Sequence, residues 1–376
     1  MGQREFDRPD EAPLAERLRE RIRREGPITF HDWMAAALYD AQEGYYCRRD
    51  LPRWGRTGDY RTAPERSPLF AATFARYFAS LYGDLGAPEV LTIIEAGAGA
   101  GHFAQGVLET LRSIFPDIFA VTRYLIDEAS DDARERARLR LSPFADRLEF
   151  RRLKDIEIPF DAGIIFANEL LDAFPVHRVV MRNGKLLELH VGLNSTGAFR
   201  WVELESAAAP RLTAYFERLG VNLREGQIAE VNLQALDWIA LAASTLKRGH
   251  LIIVDYGADA TDLYHSTHRL QGTLRAFHRH QFAHDPLAQP GRQDLTTTVD
   301  WTSLIQTGKE NGLHPVSFEP QDKFLLRAGL LDQLQIMTAG MASQAEALAL
   351  RSTLRDLILP GGLSESFQVL VQKRQR

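Results

Sequence analysis

Apolar positions along the chain recur with two periods, and the switches between them mark its elements. Leu14, Leu18 and Ile22 recur every four residues among arginines, the pattern of an amphipathic helix that Gly26-Pro27 ends. Its arginines are expected on the solvated face. A second helix is expected around Trp33 to Tyr39, with Thr29 or Asp32 as cap. Phe70, Phe74, Tyr77, Phe78 and Leu81 define another, with Pro64 suited to its first turn. Short apolar runs then alternate with helical spacing. Strands are expected over 90–95, 123–127, 147–153 and 162–167, and helices over 102–115 and 130–141. That alternation predicts an α/β fold with a parallel, doubly wound sheet.

The alternation breaks after Val176. Two runs, 176–182 and 185–191, flank Asn183-Gly184, a type I′ hairpin signal, and 199–204 reads as a third antiparallel strand. A long helix over about 227–247 leads back to the sheet. Strands follow over 251–255, 314–318 and 366–372, with helices over 301–311 and about 322–357. The expected organisation is therefore a helical cap and lid loop over 1–63 and the first part of a nucleotide-binding domain over 64–175. An inserted antiparallel hairpin subdomain covers 176–226, and the second part of the sheet domain covers 227–376. Residues 257–300 of that part form a substrate-side loop.

The run Leu91-Thr92-Ile93-Ile94-Glu95 ends in an acid, and Gly97, Gly99 and Gly101 follow at alternate positions before a helical pattern. This is strand, tight turn, helix. Glycines there permit positive φ and close approach of a ligand to the backbone, and the helix start offers free N–H groups. The dinucleotide fingerprint is G-x-G-x-x-G, whereas this spacing is G-x-G-x-G with an acid two residues ahead. It resembles motif I of the class I S-adenosylmethionine (SAM) methyltransferases. In that family the glycine loop packs against the methionine part and ribose of SAM. The strand-end acid orders the loop near the methionine ammonium.

Ligands of such sheets bind at the carboxyl ends of the strands. The residues there are Glu95 and the glycines; Asp127 and Glu128; Asn168, Glu169 and Asp172; and Asp255 with Tyr256. A carboxylate after the second strand can accept both ribose hydroxyls. Asn168 and Glu169 can grip a substrate's N–H groups or the cofactor's amino group, or else cap a helix. The polar loop 55–65, with Asp59, Thr62 and Glu65, reads as a lid or as a capping box of Thr62 and Glu65.

Composition narrows the function class. A chain of 376 residues with a net charge of −5 gives no sign of a nucleic-acid surface. Its apolar runs are too short to span a bilayer. The single cysteine, Cys47, excludes an intramolecular disulfide and a multi-cysteine zinc site. With a polar start unlike a targeting segment, this leads to the expectation of a cytoplasmic protein. The histidines of 257–299, His278 and His280 among them, lack an accompanying carboxylate motif. No metal is expected, because methyl transfer from a sulfonium needs none.

Several blocks together resemble the MidA family of SAM-dependent methyltransferases. They are Gly26-Pro27-Ile28-Thr29-Phe30, Ala37-Leu38-Tyr39-Asp40, Gly44-Tyr45-Tyr46, residues 58–65, the glycine motif, residues 168–178, Asp255-Tyr256-Gly257, residues 272–277 and Gln293-Asp294-Leu295-Thr296 with Val299-Asp300-Trp301. The resemblance implies a Rossmann-like class I sheet with an N-terminal helical cap and the inserted hairpin and helical subdomain, and SAM as cofactor. Mitochondrial members methylate an arginine of a complex I subunit, so it also implies protein-arginine methylation and a protein substrate, a respiratory-complex subunit among the candidates. The loop over 58–65 would fold over the cofactor, and Glu128 rather than Asp127 would meet the ribose. The cofactor set is then Glu95, Gly97, Gly99, Gly101, Glu128, Asn168, Asp59 and Thr62, and the catalytic set Glu169, Asp172 and Glu65. A small-molecule methyltransferase and a non-catalytic SAM-binding assembly factor are the alternatives. The oligomeric state is left open.

Overall fold

A computed structural model describes residues 13–49, 63–278, 281–339, 341, 343–358 and 366–374. The expectations for Asp59, Thr62, His280 and most of the lid loop lie outside these residues. The chain divides into two compact units. One draws on 1–53, 171–236 and 258–303; the other draws on 54–170, 237–257 and 304–376. The boundaries read from the sequence separated the first three pieces, whereas contacts gather them. Tyr46 donates to Asp294 Oδ1 at 2.6 Å, and Tyr39 donates to the Ala173 carbonyl at 3.0 Å.

The second unit holds the sheet. Its strands in chain order are β1 (Leu91–Ala96), β2 (Thr122–Asp127), β3 (Leu148–Phe150), β4 (Gly163–Asn168), β5 (Gly249–Ala258), β6 (Leu313–Pro320) and β7 (Phe367–Arg374). They lie in the order β6-β7-β5-β4-β1-β2-β3. Pairing is parallel from β5 to β3 and antiparallel where β7 meets β5 and β6. Strands covered on both faces need near-continuous apolar runs, and every residue of β1 is buried. The helices Pro68–Asp84 and His102–Ile114 pack their apolar stripes on one face. Phe103 stacks on Phe166 with ring centroids 4.1 Å apart, so the bulky residue after the glycines fills core. The helix starting near Pro64 is broken: Ala63–Arg66 is a separate turn, and Ser67 caps Pro68–Asp84.

The first unit is built on antiparallel strands. Ile28–Thr29, Lys185–Leu193, His177–Arg182 and Ile228–Val231 are neighbours in that order, and Phe199–Leu204 pairs with Lys185–Leu193. Asn183 and Gly184 both take positive φ, 49° and 72°, as a two-residue type I′ turn requires. Helix Ala209–Leu219 covers this sheet through Leu212, Tyr215 and Phe216.

Two expectations need correction. Residues 228–231 are strand, not the start of the long helix. The pairing of Ile228–Val231 with His177–Arg182 outweighs the helical spacing, and the helix begins at Leu233 after Asn232, whose Oδ1 accepts from the Ala235 N–H at 2.9 Å. The arginines of Pro13–Glu25 are not all solvated. Arg19 is buried because its Nε donates to the Gly197 carbonyl at 3.1 Å.

Candidate cofactor site

The glycine loop joins β1 to helix His102–Ile114. Gly97, Gly99 and Gly101 take φ of 73°, 54° and 79°, a region costly to residues with a Cβ. The Gly97 N–H donates to the Asp127 carbonyl at 2.8 Å, and a Cβ at Gly97 would come within 2.9 Å of Leu170 Cδ1. Gly101 is the N-cap of the helix and supplies no side chain to it, so the first-turn N–H groups are left for a ligand. A Cβ at Gly101 would meet Ala137 Cβ and Leu141 Cδ1, each at 3.2 Å. Gly101→Ala is therefore expected to cost about 1–2 kcal/mol of stability through its backbone alone. It should weaken SAM binding by about tenfold, as checked by thermal melting and calorimetric titration.

The two acids after β2 differ. Asp127 Oδ1 is taken by Arg152 Nε at 2.6 Å. Glu128 turns back toward the loop, accepting from the Gly99 N–H and the Ser130 N–H, both at 2.8 Å. Burial, first of several causes, raises its pKa above the usual carboxylate value, and the backbone donors oppose this. A carboxylate has about four acceptor positions, so these backbone donors do not exhaust it.

After β4 the chain does not enter a helix, which removes the capping alternative for Asn168 and Glu169. Glu169 instead adopts φ 51°, its N–H donating to the Val254 carbonyl at 2.9 Å. Such a conformation in a non-glycine residue is uncommon and concentrates at functional sites. Asn168 Nδ2 donates to Glu169 Oε1 at 3.0 Å, while its Oδ1 is buried without a hydrogen-bond partner. Within β5, three residues before its end, Asp255 is fully buried and accepts from the Tyr256 N–H.

Glu65 sits on Ala63–Arg66 with Oε1 3.8 Å from His102 Nδ1. Burial first, and Arg140 second, lower the pKa of His102 to about 4. The imidazole is thus neutral at pH 7, and the pair is not an ion pair. Asp172 belongs to the other compact unit. It is buried there, and its carbonyl accepts the Thr297 N–H at 2.9 Å.

Sequence reasoning missed two residues. Arg140 braces the loop, its Nε donating to the Ala100 carbonyl at 2.9 Å and its Nη1 to Gln105 Oε1 at 3.2 Å. Tyr124 donates to Glu95 Oε2 at 2.7 Å. Arg140 was hidden among the arginines of a charged helix. Tyr124 shares a sheet face with Glu95 through the register that sets it beside Ile93, two residues before the acid, and that register has no trace in the sequence of either strand.

These groups fit SAM. The glycine cradle has no room for a Cβ at position 97. An uncapped helix start and Glu128 lie beside it, and an unpartnered amide oxygen at Asn168 can take an amino group.

Known proteins agree with that fit. A family model described as "Putative S-adenosyl-L-methionine-dependent methyltransferase" matches residues 73–319. A Burkholderia thailandensis protein solved with S-adenosyl-homocysteine bound is similar over 97% of this chain and 92% of that one, with TM-score 0.83 and 30% identity. A Drosophila melanogaster relative, "Protein arginine methyltransferase NDUFAF7 homolog, mitochondrial", is 29% identical over 84% of this chain and 74% of its own length. The human protein of that name, without "homolog", is 26% identical over 86% of this chain and 75% of its own. The expectation of a cytoplasmic setting is corrected by these relatives, since those of fly, mouse and human are all named as mitochondrial. One cysteine speaks to disulfides, and their absence is common to more than one compartment. The fold is that of a class I methyltransferase, its cofactor is SAM, and the chain belongs to the MidA-like family of SAM-dependent methyltransferases.

Proposed function

We propose that this enzyme transfers the methyl group of SAM to a guanidinium nitrogen of an arginine in a protein substrate. The observation that carries the reading is the carboxylate of Glu169, set in left-handed backbone at the carboxyl end of β4. Relatives named as protein arginine methyltransferases support it, aligning with most of this chain. SAM supplies a methyl already activated by its positive sulfur. What remains for the protein is to hold the acceptor in line and to take up one proton. A carboxylate serves a guanidinium by accepting two parallel N–H bonds, which directs the third nitrogen at the methyl group, and by taking one of those protons, so that the C–S bond breaks, the N–C bond forms and the methylated product keeps a single positive charge. Glu169 takes this role, with Asp172 and Glu65 as further candidates. Glu95, Gly97, Gly99, Gly101, Glu128 and Asn168, with Asp59 and Thr62 of the lid loop, hold the cofactor. A respiratory-complex subunit is the candidate substrate.

The test uses SAM with a labelled methyl group and a protein extract from cells that lack this enzyme. Label that enters a protein band and is recovered as methylarginine after hydrolysis is the expected result. Label found in the small-molecule fraction alone would overturn the protein substrate and leave a small-molecule methyltransferase.

A further inference from the structure

Glu95 is out of keeping with its surroundings. On β1, Ile93 and Glu95 point to one face. Ile93 lies beside Tyr124 of β2 and Ile164 of β4, and Glu95 lies beside Ile126 and Phe166. All of these except Glu95 belong to one apolar core. The helices packed there, Pro68–Asp84 and His102–Ile114, bury only apolar side chains and a threonine each. Into this face is set a carboxyl that is 4% exposed and takes the Tyr124 hydroxyl at 2.7 Å. A buried acid is costly unless it is well partnered, and one phenol is a thin complement. Yet the acid stands two residues before Gly97, at the end of the strand where the cofactor binds.

The groups acting on Glu95 are few. Burial raises its pKa to about 8; the Tyr124 hydroxyl pulls the other way, and the charge of Glu128 adds to the rise. The Tyr124 phenol is raised well above its usual range, by burial first and by Glu95 next, so it remains an O–H donor. His102, at the start of the packed helix, is neutral near pH 7. Asp127 is held by Arg152.

We propose that the Glu95–Tyr124 pair links cofactor binding to a proton: the Glu95 carboxyl is protonated in the free enzyme, loses its proton as the cationic SAM binds, and Tyr124 sets the pH at which this occurs. The bond broken is the carboxyl O–H, and the proton leaves to the buffer. SAM brings a sulfonium and an ammonium against one carboxylate, so losing one proton leaves the net charge of the complex equal to that of the free enzyme. Tyr124 is a positioning residue that acts through Glu95.

The sign follows from the charge. A bound cation favours the ionised carboxyl, so the pKa falls in the complex. Between the two pKa values SAM affinity rises with pH by up to about tenfold per unit, and it levels off above the free-enzyme value. Without its hydroxyl, Tyr124→Phe leaves the acid harder to ionise, and this rising limb moves to higher pH.

Calorimetric titration with SAM tests this, in buffers of differing ionisation enthalpy and across neutral to alkaline pH. The wild-type enzyme is expected to release close to one proton more than Glu95→Gln near pH 7. The Tyr124→Phe limb should lie about half a pH unit or more to the alkaline side. The amino group of free SAM titrates alike in all three titrations, and near pH 7 it is mostly protonated. A purely structural Tyr124 would lower affinity equally at every pH. Equal proton release by wild type and Glu95→Gln, or an unmoved limb in a folded Tyr124→Phe, overturns the proposal. Should Tyr124→Phe not fold, the comparison with Glu95→Gln decides alone.

Discussion

Glu169→Gln is expected to bind SAM as the parent does and to transfer methyl groups about 10²-fold more slowly or worse. The substitution keeps the size of the side chain and its carbonyl oxygen. Asn168 Nδ2 therefore retains its acceptor, now 3.0 Å away as Glu169 Oε1, and the left-handed backbone is equally tolerant of either residue. What is lost is the negative charge and one acceptor, because the new amide nitrogen faces a guanidinium as a donor. Hydrogen bonds to charged groups contribute about 1.5–3 kcal/mol each, and a bidentate pair loses both its charge assistance and its geometry. The loss falls on acceptor positioning and proton removal. A single-turnover rate under saturating SAM, set beside a calorimetric SAM titration, separates the two effects. An unchanged rate would strike Glu169 from the catalytic set and pass the role to Asp172 or Glu65.

The sheet was legible because its signals are local. β1, β2, β4 and β5 are short, mostly apolar runs, and each leads to candidate site residues. The glycine loop was legible for the same reason, since positive φ at 97, 99 and 101 favours glycine. Residues 228–231 were misread because strand pairing with a segment some fifty positions earlier decides them, and periodicity within a window carries no trace of that partner. Arg19 failed similarly, its carbonyl partner lying on the distant Gly197. The sequence also left open whether Asn168 caps a helix. Only the path of the chain after β4 answers this, and the unusual φ of Glu169 has no signature in residue type.

Glu128 and Asp127 are adjacent acids whose environments separate their roles, and this gives the second large expected effect. Glu128→Ala should weaken SAM binding by about 10²-fold or more, whereas Asp127→Asn should change it by no more than about threefold. Glu128 ties two backbone N–H groups, one in the middle of the glycine loop and one at Ser130, whose hydroxyl caps the helix Asp131–Arg140. Removing it takes away the loop's side-chain tie to the end of β2, leaving the backbone bond from Gly97 to Asp127, and with it the acceptors proposed for the ribose hydroxyls. Asp127 instead spends its carboxylate on the half-exposed Arg152. An asparagine can still accept from that guanidinium, and the charge lost is partly screened by solvent. Glu128→Gln refines the comparison, because its one carbonyl oxygen can serve only one of the two N–H groups well and should give an intermediate loss. Calorimetric titration of the three variants with SAM, with circular dichroism to confirm the fold, makes the measurement. A large loss in Asp127→Asn beside near-normal binding in Glu128→Ala would exchange the two roles and make Arg152 a brace for the ribose acid.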